Sequence, residues 1–257
     1  MTTARERRRL IVEAVREHGC VEVGHLAGSL DVAAETVRRD LHALEAHGLV
    51  RRTHGGALPV AKPHFETQVM RRSGQLSREK RQIAAACIDE LAGWESIFLD
   101  QGSTALAIAE RLAATEGPLT VVTSSLQAAM VLSARGRTEV MFLGGRLRGR
   151  ALATVGMSAT TMLAELRPDV AVMTASGISL ERGVSTSNAE TAELKRVAMK
   201  SSGRALFAGD HTKFGNSSFC RYAAVDDFAV IVTDAGLNAS VAAKYRAEGP
   251  RLVRATS

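Results

Sequence analysis

The chain has 257 residues, 46% hydrophobic and 23% charged, with a formal net charge of +6. That is an ordinary globular composition, with length for one large domain or two unequal ones. No run approaches the ~18 consecutive apolar residues of a membrane span, and Arg5, Arg7, Arg8 and Arg9 lead into a helical pattern rather than a signal peptide. A cytoplasmic protein with no membrane partner is therefore expected. Cys20, Cys87 and Cys220 are widely spaced, odd in number and without His at ligand spacing, so buried thiols are expected, with neither metal nor cofactor. The charge is unevenly placed. Residues 1–81 carry 15 Lys and Arg against 10 Asp and Glu, and residues 82–257 carry 18 against 17. A basic N-terminal third joined to a near-neutral remainder points to a nucleic-acid-binding end.

Leu10, Ile11, Ala14 and Val15 place a first helix over residues 4–17, released at His18-Gly19. After a short extended piece, Cys20 to Val23, a second helical segment carries Val23, Leu26, Ala27 and Leu30 and stops at Asp31-Val32. A third runs from Ala34 to His47 with Val37, Leu41 and Leu44 on one stripe. At about 100° per residue, Glu35, Arg38, Arg39 and His42 fall on the opposite side, with Thr36 at its margin. Two short helices joined by a tight turn, the second with a basic face, predict a helix-turn-helix whose second helix reads a major groove. Leu49 to Thr53 then reads as a strand, Gly55-Gly56 as a hairpin turn needing positive φ, and Ala57-Leu58 as the return strand. That hairpin is a wing, and it places Arg51, Arg52 and His54 beside the DNA backbone. Arginine suits both positions, because its planar fork grips guanine edges or phosphate oxygens. The DNA-binding domain is thus expected over residues 1–58, with double-stranded operator DNA as partner.

The string "TVRRDLHALEAHGLVRRTHGGA", preceded by "VEVGHLAGSLDVAAE", resembles the DNA-binding signature of the DeoR family of bacterial transcriptional regulators. The family usually has Ser where this chain has Ala33, a position that would cap the recognition helix.

Pro59, Pro63 and the mixed run between them predict a connector over residues 59–81, helical from about Glu66 to Arg81. From residue 82 to 257 short apolar runs alternate with helical patterns, as in a parallel sheet with crossover helices. The expected strands are Ile97–Asp100, Leu119–Thr123, Val140–Leu143, Val170–Thr174, Arg204–Ala208 and Ala229–Thr233. Each precedes a small polar loop, and ligands bind outside the carboxyl ends of such strands. Gly102, Ser103 and Thr104 open a helix where backbone N–H groups and hydroxyls suit a phosphate. Thr123, Ser124 and Ser125 repeat that arrangement, and Gly144-Gly145-Arg146 and Lys213 add a turn, a guanidinium fork and a point charge. Asp100, Glu190 and Asp210 are candidates to accept hydrogen bonds from sugar hydroxyls.

The resemblance continues here. "DQGSTALAIAERL", "TVVTSS", "FLGGRLR", "VGMSA", "GVSTSNAETAELKRVAMKSS", "GDHTKFG" and "VIVTD" are similar to ordered landmarks of the DeoR-family sensor domain, whose fold is similar to sugar-phosphate isomerases and CoA transferases. The resemblance implies a phosphorylated sugar or related metabolite as effector, with Asp100, Gly102, Ser103, Thr104 and Lys213 matching the family's ligand loops. "TSS" stands where Thr-Asn-Ser is common, and "GDHTKF" where Ala-Asp-Ser-Ser-Lys-Phe is common. The expected protein is a winged helix-turn-helix repressor of a carbohydrate operon, acting as a dimer or tetramer on paired half-sites.

Two other classes compete. An isomerase-like enzyme would use Asp100, Glu190, Asp210 or His211 for proton transfer, but the related isomerases' Asp-Gly-Ala-Asp-Glu and Gly-His-Ile-Ala-Phe-Asn-Glu-Pro runs are absent from the sequence. An architectural DNA-binding protein would need no ligand, against which the phosphate-type loops count.

Overall fold

The computed structural model describes residues 3–18, 21–46, 50–53, 55–59, 75–115, 117–134 and 138–256, with only the backbone at residues 5, 16–18, 46, 51, 58 and 59. The chain divides into two compact units, Met1–Phe65 and Glu66–Ser257. No helix among the described residues is long and apolar enough to cross a membrane.

The N-terminal unit runs α1 (Ala4–His18), β1 (Val21–Glu22), α2 (Val23–Ser29), α3 (Ala34–Ala46), β2 (Val50–Arg52) and β3 (Gly56–Pro59). Its core is the expected stripe, with Ile11, Val15, Leu26, Val37, Leu41, Leu44 and Val50 all buried. The turn between α2 and α3 closes by two bonds, Val32 N–H to the Ala27 carbonyl at 3.1 Å and Asp31 N–H to Gly28 at 3.4 Å, with Asp31 left-handed at φ 51°. This is a Schellman closure, and Asp is among the few side chains that accept its left-handed position. Helix α3 starts without help from a hydroxyl: Thr36 and Val37 N–H both bond to the Ala33 carbonyl.

Strands β2 and β3 form the expected hairpin, Arg51 opposite Leu58 and Arg52 opposite Ala57. Strand β1 adds to its other edge, so the wing is a three-stranded sheet in the order β1-β3-β2. Positive φ at Gly56 is not what the backbone requires. Gly56 is needed for space, since a Cβ there would lie 1.9 Å from the Val21 carbonyl oxygen across the β1–β3 pair.

The C-terminal unit opens with α4 (Ser77–Leu91), β4 (Ser96–Leu99), α5 (Ser103–Leu112), β5 (Leu119–Thr123), α6 (Leu126–Ser133), β6 (Thr138–Phe142), β7 (Arg146–Arg148), β8 (Ala153–Val155) and α7 (Met157–Ala164). It continues through β9 (Val170–Met173), β10 (Gly177–Ser179), β11 (Gly183–Thr186), α8 (Ala189–Ser201), β12 (Arg204–Ala208), a 3₁₀ turn (His211–Lys213), β13 (Cys220–Ala223), β14 (Val230–Asp234), α9 (Ala239–Ala247) and β15 (Arg251–Ala255). The connector helix expected to end at Arg81 has its described part elsewhere. Residues 77–81 are the first turns of α4, which belongs to the C-terminal unit and buries Ile83, Ala84, Cys87 and Leu91; residues 66–74 lie outside the described set.

Seven parallel strands lie in the order β15-β14-β12-β9-β4-β5-β6. Alternation along each strand divides the core. Ile97, Leu99, Val170, Val172, Leu206 and Val232 face α4, α5 and α6. Phe98, Ala171, Met173, Phe207 and Ile231 face the side holding Leu163 of α7, Leu194 of α8 and Tyr245 of α9. The six expected strands are all in this sheet, and β15 joins them as an edge. A three-stranded antiparallel sheet, β10-β11-β13, and the β7–β8 hairpin are additions to the simple alternating pattern. The strand order reverses at β4: β5 and β6 follow on one side, β9, β12, β14 and β15 on the other. The crevice between the carboxyl ends of β4 and β9 is thus the topological switch point of the sheet.

Candidate functional site

On α3 the side turned from the core holds what the helical spacing predicts. Glu35, Arg38, Arg39 and His42 are exposed and Thr36 is partly so. Glu35 and Arg38 pair at 3.1 Å across one turn. Arg39 has no hydrogen-bond or ion-pair partner among the described residues. Arg52 ties the wing to α3: its backbone N–H donates to Glu45 Oε1 at 2.9 Å, and its guanidinium to His42 Nδ1 at 3.2 Å. The Arg51 side chain and His54 lie outside the described set. Sequence reasoning missed Asp40, which is buried at 2% exposure and receives Arg7 Nε at 2.5 Å and Arg8 Nε at 2.7 Å. This clamp fixes α1 to α3, the helix that carries the basic face.

In the C-terminal unit a cavity of about 260 Å³ opens at the switch point. After β4 it is lined by Gln101, Gly102, Ser103 and Thr104, and after β9 by Thr174, Ala175 and Ser176. Gly102 precedes α5 with φ 112°, a left-handed backbone that glycine adopts freely, and no side chain caps the helix. The first amides of α5 thus have no capping side chain at Gly102, an arrangement that suits an anion. Thr186 and Ser187 follow β11, Thr191 and Lys195 come from α8, and Arg148, Arg150 and Ala151 come from the β7–β8 hairpin. Lys213 reaches in from the 3₁₀ turn. No carboxylate lines the cavity among the described residues.

Sequence reasoning missed Lys195, as it missed Arg148, Arg150, Thr174, Thr186 and Thr191 of the same lining. Lys195 is 3% exposed and ion-paired to Asp100, which is 2% exposed. Its ammonium also donates to the Thr174 carbonyl at 2.9 Å, and it lies 5.1 Å from the centre of the Tyr222 ring. Asp100 further accepts the backbone N–H and the hydroxyl of Thr174, each at 2.8 Å. Burial pushes the Lys195 pKa below its ordinary value, against the opposing pull of Asp100. Burial and the Asp100 charge push the Tyr222 phenol well up.

The remaining expected residues divide. Gly102, Ser103, Thr104 and Lys213 meet at the cavity. Asp100 lies behind it and holds Lys195. Thr123, Ser124 and Ser125 are buried away from it: the Ser125 hydroxyl caps α6 by accepting Ala128 N–H at 3.3 Å, and the Ser124 carbonyl accepts Thr154 N–H at 2.9 Å from β8. Gly144 and Gly145 are exposed, and Arg146 pairs with Glu190, both outside the lining. Asp210 caps the 3₁₀ turn, accepting from Thr212 N–H at 3.1 Å, with Lys213 3.9 Å away. His211 binds Asp234 at 2.7 Å.

The sequence matches the DeoR-like helix-turn-helix domain over residues 7–62 and the DeoR C terminal sensor domain over residues 75–235. It is 31% identical over 248 residues to the HTH-type transcriptional regulator GlpR of Haloferax volcanii, covering 96% of each chain. It is 30% identical to the transcriptional repressor AccR of Agrobacterium fabrum, covering 91% of each, and 29% identical to a putative aga operon transcriptional repressor of Escherichia coli, covering 98% of this chain and 94% of that one. Among solved structures, a D-ribose-5-phosphate isomerase bound to phospho-erythronic acid aligns over 54% of each chain at 14% identity and a TM-score of 0.40, a partial likeness. The chain belongs to the DeoR family of DNA-binding transcriptional regulators, with a helix-turn-helix at its N-terminus and a sensor domain at its C-terminus.

Proposed function

We propose that this protein is a cytoplasmic repressor of a carbohydrate-metabolism operon, released or engaged by a small phosphorylated sugar bound at the switch-point cavity. The observation that carries the reading is the cavity's lining: Arg148, Arg150, Lys195 and Lys213 with the uncapped start of α5, and no carboxylate among the described residues that line it. Such a lining attracts an anion, and its size falls near the small end of the ~300–1,000 Å³ of metabolite sites. Gly102, Ser103 and Thr104 would receive the phosphate with Lys213 beside it, and Thr174, Thr186 and Thr191 would meet sugar hydroxyls. In this reading the cavity binds without turnover.

The N-terminal unit would hold operator DNA, with Thr36, Arg38, Arg39 and His42 of α3 in the major groove and Arg51 and Arg52 of the wing at phosphates. One winged unit grips weakly, so two or more copies would read paired half-sites. For ligand to switch occupancy from 1:99 to 99:1 it must favour one state by about 5.5 kcal/mol, within reach of several charge-assisted bonds to a phosphate.

The test is fluorescence anisotropy of the full chain on labelled DNA from upstream of its own gene cluster, at fixed salt, titrated with sugar phosphates and their unphosphorylated parents. The reading expects one phosphate to change specific binding while its parent does not. Tight DNA binding that no phosphorylated sugar alters would overturn it.

A further inference from the structure

We infer that Gln101 reads the hydroxyls of the ligand: its carboxamide turns from Thr191 into the switch-point cavity and pairs there with a sugar hydroxyl. The inference rests on the effector reading above and names the residue that gives that site its preference for a sugar over a bare anion. Gln101 stands between Asp100 and Gly102 and lines the cavity. Its backbone is fixed, since its carbonyl accepts the Thr174 hydroxyl at 2.9 Å. Its side chain is held far less well. The amide nitrogen makes one long bond, 3.3 Å to the Thr191 hydroxyl, and that hydroxyl already accepts Arg148 at 2.8 Å. The amide oxygen is buried and has no hydrogen-bond partner among the described residues. Buried polar atoms of Ser124, Ser202, Thr233 and Arg254 share that condition, but none of those four residues lines the cavity.

A carboxamide carries an acceptor oxygen and an NH₂ donor side by side. A buried oxygen left unpaired has given up its water for nothing, so the rotamer that rests the amide on Thr191 is a costly one. Turning about the side-chain torsions forfeits only the long bond, and Thr191 keeps Arg148. What the turned amide can meet decides the ligand chemistry. The charged groups of the lining, Arg148, Arg150, Lys195 and Lys213, are donors alone, and so are the first amides of α5. They match the oxygens of an ionised phosphate, which only accept. The Gln101 oxygen asks for the opposite, a donor, and a phosphate has none to give it. A hydroxyl both donates and accepts, so it pairs with either end of the amide, and two neighbouring hydroxyls of a sugar satisfy both ends together. A site that pairs a ligand hydroxyl in this way also discriminates against the analogue that lacks it, because its own polar group is then left unpaired.

Isothermal titration of the full chain tests this with the sugar phosphates of the anisotropy panel and with inorganic phosphate as the bare anion. Gln101→Leu keeps most of the side chain's bulk and removes both polar ends of the amide. The sugar phosphate that shifts DNA binding should bind this variant about tenfold or more weakly than the parent, while inorganic phosphate stays within about twofold. The melting temperature without ligand should stay the same or rise, since carbon replaces an unpaired buried oxygen; a glutamine with a merely structural role would lower it when removed. Among deoxy analogues of that sugar phosphate, the one lacking the hydroxyl met by Gln101 should bind parent and variant equally. Equal losses for sugar phosphate and inorganic phosphate, or a loss for neither, overturn this inference and leave the effector reading standing. A panel in which no sugar phosphate binds the parent overturns both.

Discussion

Asp100 and Lys195, 95 residues apart in sequence, form a buried ion pair directly behind the cavity at the sheet's switch point. The pair joins the end of β4 to the middle of α8 and, through Thr174, the end of β9. It therefore sets the spacing of three elements that line the cavity. A buried pair contributes little over a well-packed apolar pair, but losing one partner strands the other charge. Lys195→Met should cost about 3–5 kcal/mol in urea denaturation of the C-terminal unit, and Asp100→Asn a similar amount. The double variant should cost clearly less than the two singles together. A Lys195→Met loss under about 1 kcal/mol would show that the pair does not position these elements.

Cys87 gives a pH signature of the layer formed by α4. Its thiol is fully buried, and burial, with the Glu90 charge second, raises its pKa far above the ordinary 9.0. In the unfolded chain the thiol ionises near 9.0, whereas in the folded chain it keeps its proton. The unfolded state thus binds fewer protons above that pH, and this contribution to stability, complete below 9.0, is lost as pH rises, at up to about 1.4 kcal/mol per pH unit. The buried tyrosines titrate in the same direction, so the informative quantity is the difference between proteins. Cys87→Ala should show a shallower alkaline loss than the parent, and the native Cys87 thiol should resist aqueous disulfide reagents at neutral pH. Equal slopes in the two proteins would mean that the thiol ionises in the folded state.

These two groups also mark what the sequence reveals. The strands of the sheet are legible because each is an apolar run that must bury both faces, and α3 is legible because its stripe and its basic face are separated by the helical period. Lys195 is not legible: within "AETAELKRVAMKS" it has the spacing of a solvated charge, and only the packing of α8 against β9 and β13 buries it. Thr123-Ser124-Ser125 misleads for the opposite reason. The loop looks like the one at 102–104, but β8, some 30 residues later, bridges across it and takes the Ser124 carbonyl, while the Ser125 hydroxyl caps α6. Which loops converge depends on strand order, and strand order is set by long-range packing that local pattern does not encode. The antiparallel strands β10, β11 and β13 escape for a simpler reason, since they are three or four residues long, and β10 and β11 carry Gly and Ser.

Asp40 is the corresponding buried charge of the N-terminal unit, here with two partners that remain partly in water. Arg7 and Arg8, adjacent on α1, converge on its two oxygens. Asp40→Ala removes charge-assisted bonds from a carboxylate under the recognition helix and should cost about 2–3 kcal/mol of the N-terminal unit's stability. Specific DNA binding should fall with the folded fraction, while ligand binding to the C-terminal unit stays unchanged. Thermal unfolding with and without ligand separates the two effects; parallel losses in both units would show that Asp40 acts on the whole chain.

Arg38 and Arg39 are neighbours on α3 with different surroundings, and that difference predicts different behaviour. Arg38 is paired to Glu35 one turn earlier, which orients its guanidinium along the helix at little energetic gain at an exposed site. Arg39 is exposed and has no partner among the described residues, so its truncation should leave stability within about 0.5 kcal/mol. If it reads a base edge, Arg39→Ala should lower affinity for operator DNA by about 1–3 kcal/mol while affinity for unrelated sequence changes little. If it contacts phosphate instead, both affinities fall together and the slope of log K against log salt drops by about one. Glu35→Ala adds the contrast: freeing Arg38 from its partner should strengthen non-specific binding, because a carboxylate is removed from the face proposed to approach the polyanionic duplex. Anisotropy on operator and scrambled duplexes across a salt series measures all three variants, and a uniform loss for Arg39→Ala would place Arg39 on the backbone and leave base reading to the rest of α3.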